Sequence, residues 1–223
     1  MMKDLLRNSL NEAARSFVKN LTGAGTDEIQ KYAVEITSDG RFREQLEKNR
    51  GDFGRRQRFS YWGIGAGSTL ATVIYALCRY KKPDIVVETG VASGISSAYI
   101  LAALEQNKKG RLYSIDMPGW QDAPSGWLIP DDLKKRWHLT LGRSSETLEP
   151  LLEKLSEIDI FLHDSDHSYR NMTWEFQTAW ERLRPGGLLL SHNIDTNSAF
   201  EDFCRDVRLP GHVLDNTGGL VKP

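Results

Sequence analysis

Residues 84–116 read DIVVETGVASGISSAYILAALEQNKKGRLYSID, and the changes of rhythm inside this stretch decide the fold. DIVVE (84–88) is a short apolar run that ends in a glycine-bearing loop. SSAYILAALEQ then has the length and periodicity of a helix, closed by Lys108, Lys109 and Gly110. RLYSID (111–116) is a second strand. A strand, a helix and a strand in this order form a parallel, right-handed crossover unit.

The same alternation continues downstream. After an insertion at 117–135 that carries prolines and tryptophans come strand WHLTL, helix SSETLEPLLEKL, strand DIFLH, helix YRNMTWEFQTAWERL and strand GLLLSH, with RPGG as the turn into the last. Helix AFEDFCRDV then precedes HVLD, a turn at NTGG and LVKP, the pattern of a terminal antiparallel hairpin. Upstream, Leu10, Ala13, Ala14, Phe17, Val18 and Leu21 give the stripe of an amphipathic helix that begins near Leu6. A second helix begins at Thr26 as its capping residue, and residues 68–80 form another, with Leu70, Val73, Ile74 and Leu77 on one face and Pro83 as its stop. The predicted architecture is α/β: a Rossmann-like, mostly parallel sheet with helices on both faces, a terminal antiparallel hairpin and a helical N-terminal extension. The extension (1–83) caps the site or pairs two subunits as a homodimer, and residues 84–223 are the ligand-binding, catalytic domain. The arginine-rich stretch 41–58 reads as a solvated surface.

Lys plus Arg (29) balance Asp plus Glu (30), so the net charge of −1 offers nothing to a nucleic acid or a membrane surface. Cys78 and Cys204 lie far apart inside helical patterns, as free thiols of a reducing compartment do. No apolar run approaches the ~20 residues that cross a bilayer. These features predict a cytoplasmic enzyme of small molecules.

In parallel sheets ligands bind at the carboxyl ends of the strands, beside the first of them. Its loop, ETGVASG, sets Gly90 and Gly94 four apart around Ala92, so the backbone can turn tightly and approach a ligand. The spacing is not the GxGxxG of a dinucleotide site. Glu88, at the strand end, would repel a pyrophosphate but attract the cationic aminoacyl end of S-adenosylmethionine. Asp116 ends the second strand, where a carboxylate accepts ribose hydroxyls. The predicted cofactor contacts are therefore Glu88, Thr89, Gly90, Val91, Gly94, Ser96 and Asp116, with Gly142, Arg143 and Ser144 after the third strand and Asp164 after the fourth.

Three of the five histidines, His163, His167 and His192, sit at the ends of the strands DIFLH and GLLLSH. Asp164, Asp166 and His167 leave the first of these together, and His192 and Asn193 leave the second. His163 alternates to the face opposite Asp164 and reads as structural. The stripe Met172, Phe176, Ala179, Trp180 and Leu183 reads as core. Two histidines and a carboxylate, Asp164, His167 and His192, also match the donor set of a non-haem-iron oxygenase, and a non-catalytic nucleoside-binding module would keep the same fold.

Taken together, VVETGVASG, the strand-end Asp116, FLHDSDHSY and LRPGGLLLSHN resemble the class I S-adenosylmethionine-dependent methyltransferases. The resemblance covers roughly residues 84–194. It is to the group that includes caffeoyl-CoA, catechol and macrolide-sugar O-methyltransferases and cephalosporin-hydroxylase-like proteins. It implies O-methylation of a small hydroxylated acceptor, with a divalent cation, Mg²⁺ or a transition metal, on Asp164, His192 and Asn193. The His192–Asn193 pair departs from the family's acidic or amide pair, and imidazole is a poor ligand for Mg²⁺. The resemblance also implies His167 as general base, at its three-residue offset from Asp164, with Asp166 to orient the imidazole. The insertion 118–130, with Trp120 and Trp127, is predicted to be a mobile lid over the acceptor.

Overall fold

The computed structural model describes residues 10–54, 67–117 and 124–223. The start of the first helix near Leu6, the residues 55–58 of the basic stretch and Trp120 lie outside them. Helix α1 (Glu12–Thr22) starts where the Asn11 side chain accepts the Ala14 N–H at 2.8 Å and stops at the left-handed Gly23. The cap of helix α2 (Thr26–Thr37) lies one residue earlier than expected: Gly25 holds the capping position and Thr26 is already helical. Helices α3 (Gly40–Gly54) and α4 (Gly67–Lys81) complete the N-terminal layer.

The crossover units follow as β1 (Ile85–Thr89), α5 (Ile95–Asn107), β2 (Arg111–Asp116), β3 (Trp137–Leu141), α6 (Ser144–Leu155), β4 (Ile158–His163), α7 (Tyr169–Arg182) and β5 (Leu183–Ser191). Helix α8 (Ala199–Val207) and the hairpin β6 (His212–Leu214) and β7 (Thr217–Val221) close the chain. The sheet order is β3-β2-β1-β4-β5-β7-β6, parallel from β3 to β5, with β7 antiparallel between β5 and β6. RPGG is not the turn before β5 but part of it. Ile158 pairs with Leu183 and Ile160 with Leu188, so the four residues form a bulge, and Leu183 belongs to the strand rather than to the helix stripe.

Successive strand residues point to opposite faces, and both faces are buried. Val86, Leu112, Ile160, Leu162, Leu188 and Leu190 pack under α1, α2, α4 and α5. Val87, Ile115, Phe161, Leu189 and Leu220 pack under α6, α7 and α8. The N-terminal helices thus share a core with the strands: a Cβ on Gly219 of β7 would come within 2.7 Å of Leu21 in α1. The division at residue 83 marks where helices give way to crossover units and is not a gap in packing. Among the described residues no helix is long and apolar enough to cross a membrane, and Cys78 and Cys204 are free thiols within α4 and α8.

Candidate active site

Strand alternation sends the last two residues of β1 in opposite directions. Glu88 shares the face of Val86 and is fully buried under α5. Its carboxylate accepts the hydroxyls of Ser96, of Ser97 at 2.5 Å and of Ser114 at 2.9 Å. Burial pushes its pKa up to about 7, against the opposing pull of the three serines. Glu88 therefore does not offer a free charge to a ligand, as its sequence position suggested. It props the loop from beneath, and Ser96 is engaged with it.

The glycines of that loop approach protein. Gly90, at φ +82°, would put a Cβ 1.9 Å from the carbonyl oxygen of Asp164, and Gly94, at φ +86°, would put one 2.7 Å from Gly126 Cα. The close contact expected with a ligand is here a contact with the β4 exit and with the insertion. Asp116, half-buried at the end of β2, accepts the Ala92 N–H at 3.2 Å, and its carbonyl accepts the Gly142 N–H at 2.8 Å. One residue thus gathers the loops after β1 and β3, the first through its carboxylate and the second through its backbone carbonyl. Val91 is buried, Arg143 is exposed at the cap of α6, and the Ser144 hydroxyl faces Asn171 at 3.4 Å.

The described part of the insertion, expected as a mobile lid, is tied to the loop after β1 and to α3. Gly126 N–H donates to Ala92 O and Leu128 N–H to Ser93 O, both at 2.9 Å, and the side chains of Leu128 and Ile129 are buried. From α3, the Asn49 amide donates to the carbonyls of Leu128 at 3.1 Å and Ile129 at 3.3 Å, while Arg41 and Gln45 reach Asp132. The α3 part of the basic stretch is an anchor for this segment. Residues 118–123 of the expected lid lie outside the described residues.

At the other end of the crevice the backbone stitches three strand exits together. Asp164 N–H donates to Thr89 O at 2.8 Å and His192 N–H to His163 O at 2.9 Å. Asp164 Oδ1 stands 3.0 Å from His192 Nδ1 and 3.4 Å from His167 Nε2, and all three side chains are half-buried. Burial alone would depress His192, but the Asp164 carboxylate outweighs it and raises the imidazole above its ordinary value. Burial alone would raise Asp164; the two imidazoles outweigh it and hold the acid below the usual carboxylate range.

Two expected partners are absent from this group. Asp166 accepts the Ser168 N–H at 3.0 Å and its hydroxyl at 3.3 Å, so it is spent on the turn into α7 and Asp164 is the carboxylate beside His167. Asn193, in the left-handed conformation, accepts the Asn216 amide at 3.2 Å instead of turning to Asp164. Among the described residues no group of three His, Cys, Asp or Glu is placed to hold a metal ion.

Residues 87–194 match a family model described as a methyltransferase domain. This segment is a methyltransferase domain. No curated protein matches the chain. Among solved structures, an O-methyltransferase from Bacillus cereus in complex with S-adenosylhomocysteine superposes with a TM-score of 0.58 at 16% identity, over 92% of this chain and 100% of that one. The O-methyltransferase TomG from Streptomyces achromogenes, involved in tomaymycin synthesis and bound to S-adenosylmethionine, gives 0.57 at 18%, over 81% and 90%. The MycE methyltransferase of mycinamycin biosynthesis, with Mg, S-adenosylhomocysteine and mycinamycin VI, gives 0.54 at 15%, over 80% of this chain and 54% of that chain. At these identities the likeness is one of fold.

Within the methyltransferase domain, one polar residue escaped the sequence reading. Glu175 lies in the middle of α7, fully buried, on the stripe with Met172, Phe176 and Ala179. His163, structural as expected, is buried beside it, with Nδ1 2.7 Å from Glu175 Oε2. The signal was available: a carboxylate at a core position of an amphipathic helix needs donors.

Proposed function

We propose that the chain transfers a methyl group from S-adenosylmethionine to a hydroxyl of a small molecule, with His167 as the general base. The observation that carries this reading is the Asp164 carboxylate set between His192 Nδ1 and His167 Nε2 at the mouth of the strands. The methyltransferase domain, and fold neighbours solved with S-adenosylmethionine or S-adenosylhomocysteine, support this cofactor. Thr89, Gly90, Val91 and Gly94 shape its loop, Asp116 supplies the acceptor for ribose hydroxyls, and Gly142, Arg143 and Ser144 flank the base. The methyltransferase match favours group transfer over an iron oxygenase or a non-catalytic binding module.

The chemistry follows from the dyad. His167 Nε2 is buried 3.4 Å from Asp164 Oδ1 with no hydrogen-bond partner among the described residues, so the carboxylate favours the tautomer protonated at Nε2, in which Nδ1 is the basic nitrogen. The acceptor hydroxyl gives its proton to that nitrogen as its oxygen attacks the methyl carbon, the C–S bond breaks in line, and S-adenosylhomocysteine leaves as a neutral thioether. His192, whose pKa the Asp164 carboxylate raises, faces it through Nδ1 at 3.0 Å and favours its ionised form.

A hard divalent cation fits this donor set poorly. It holds one carboxylate, whose Oδ1 faces two imidazoles, and the Asn193 amide oxygen is turned to Asn216. No step is routed through a metal. Transfer of radiolabelled methyl groups from S-adenosylmethionine into hydroxyl compounds, with and without chelator, tests both points: transfer unchanged by chelation is expected, and its loss would restore the metal. His167→Ala is expected to lower turnover about 10²- to 10⁴-fold while S-adenosylhomocysteine affinity, read by calorimetry, is kept. Near-normal turnover would place the base elsewhere.

A further inference from the structure

Glu175 accepts four hydrogen bonds: from Thr89 Oγ1 at 2.5 Å, His163 Nδ1 at 2.7 Å, Ser165 Oγ at 2.7 Å and Asn171 Nδ2 at 3.1 Å. The donors come from the last residue of β1, the last residue of β4, the loop after β4 and the first turn of α7. Thr89 opens the cofactor loop, and Ser165 directly follows Asp164. The His163 ring, gripped by Glu175, meets the His167 ring edge to face, with centroids 5.4 Å apart and planes at 85°. A leucine beside Met172 and Phe176 would fill this space without the cost of burying a charge. What the carboxylate adds is a hydrogen-bonded register among these loops.

We propose that Glu175 is a positioning residue for methyl transfer: through Ser165 and the His163 ring it holds Asp164 and His167 in register with the cofactor loop anchored at Thr89. The proposal rests on His167 as base. Base and methyl donor sit on separate loops, and a small misplacement between them costs rate far more than affinity. The direct bond from Asp164 N–H to Thr89 O joins the same two loops, so the side-chain hub and the backbone act on one joint.

The test is a double-mutant cycle on the full chain with Glu175→Gln and His167→Ala, reading kcat, KM for S-adenosylmethionine and calorimetric affinity for S-adenosylhomocysteine. Glutamine keeps the volume but replaces one acceptor oxygen by a donor that faces other donors. In the wild-type background kcat is expected to fall roughly ten- to hundredfold, with cofactor affinity changed far less. In the His167→Ala background Glu175→Gln is expected to cost nothing further, because the geometry it protects no longer has a base to serve. A merely structural role would lower kcat by the same factor in both backgrounds, and that result, or an unchanged kcat in the wild-type background, overturns the proposal. Should Glu175→Gln fail to fold, Ser165→Ala runs in the same cycle with the same expected non-additivity. If His167→Ala alone keeps full turnover, the base reading itself falls and takes this proposal with it, an outcome visible before any double mutant is made.

Discussion

Glu88 and Glu175 are buried carboxylates at neighbouring levels of the sheet, and their surroundings push them in opposite directions. Burial raises both; Glu88 is bonded by neutral hydroxyls, feels the Asp164 carboxylate as well and ends up near 7, whereas His163 and the other donors pull Glu175 below the usual carboxylate range. Glu88 therefore favours the folded state while protonated. Its contribution is fully present below its ordinary 4.5 and is lost as pH rises through about 7. Thermal melts of wild type and Glu88→Gln should diverge in favour of the variant across that window and run parallel above it. A constant offset at all pH values would mean that folding leaves the Glu88 pKa unshifted. Gly90 is a second test at this scale: Gly90→Ala would combine φ +82° with a Cβ 1.9 Å from the Asp164 carbonyl. Denaturant unfolding should show a loss of at least about 1 kcal/mol, accompanied by reduced turnover because the displaced residue carries the carboxylate beside the proposed base, His167.

Between elements, the cofactor loop is held from two sides, by β4 through Gly90 and by the insertion through Ala92 and Ser93. Asn49→Ala removes the clamp that α3 places on Leu128 and Ile129. Amide hydrogen exchange of residues 124–133 should accelerate while that of β1 stays unchanged; equal protection in both proteins would mean that α3 does not anchor the segment. This clamp also marks where sequence reading stopped. Periodicities of two and 3.6 exposed the strands, the crossover helices and the terminal hairpin, because each repeats a burial pattern along the chain. The clustering of Asp164, His167 and His192 followed from strand ends alone. Periodicity reports which face is buried but not which polar groups meet there. Thus the position of Glu88 points it at a ligand although its donors come from α5 and β2, Asp166 is offered to His167 although a local turn claims it, and no period singles out Glu175. The bulge at RPGG was missed because a Pro-Gly-Gly run carries the same signal in a turn.

Across the whole molecule, the two cores lie on opposite faces of one sheet, and the N-terminal helices are part of the first. A variant lacking residues 1–37 would strip Phe17, Leu21, Ile29 and Ile36 from it. Such a variant is expected to lose cooperative thermal unfolding; a sharp two-state melt would instead make the helical layer dispensable. The placement of β7 also bears on how the chain is made. Strands β1 to β5 leave the ribosome in an order that lets each find its parallel neighbour. One partner of α1, however, is the hairpin of β6 and β7, synthesised roughly two hundred residues later, with β7 inserted between two other strands, a contact of very high sequence separation. Until that hairpin emerges, the part of the α1 apolar face that α2 and α4 do not cover and the edge of β5 are both open on the nascent protein. Chaperones that recognise apolar segments should therefore engage α1 during synthesis and release it only when β7 arrives.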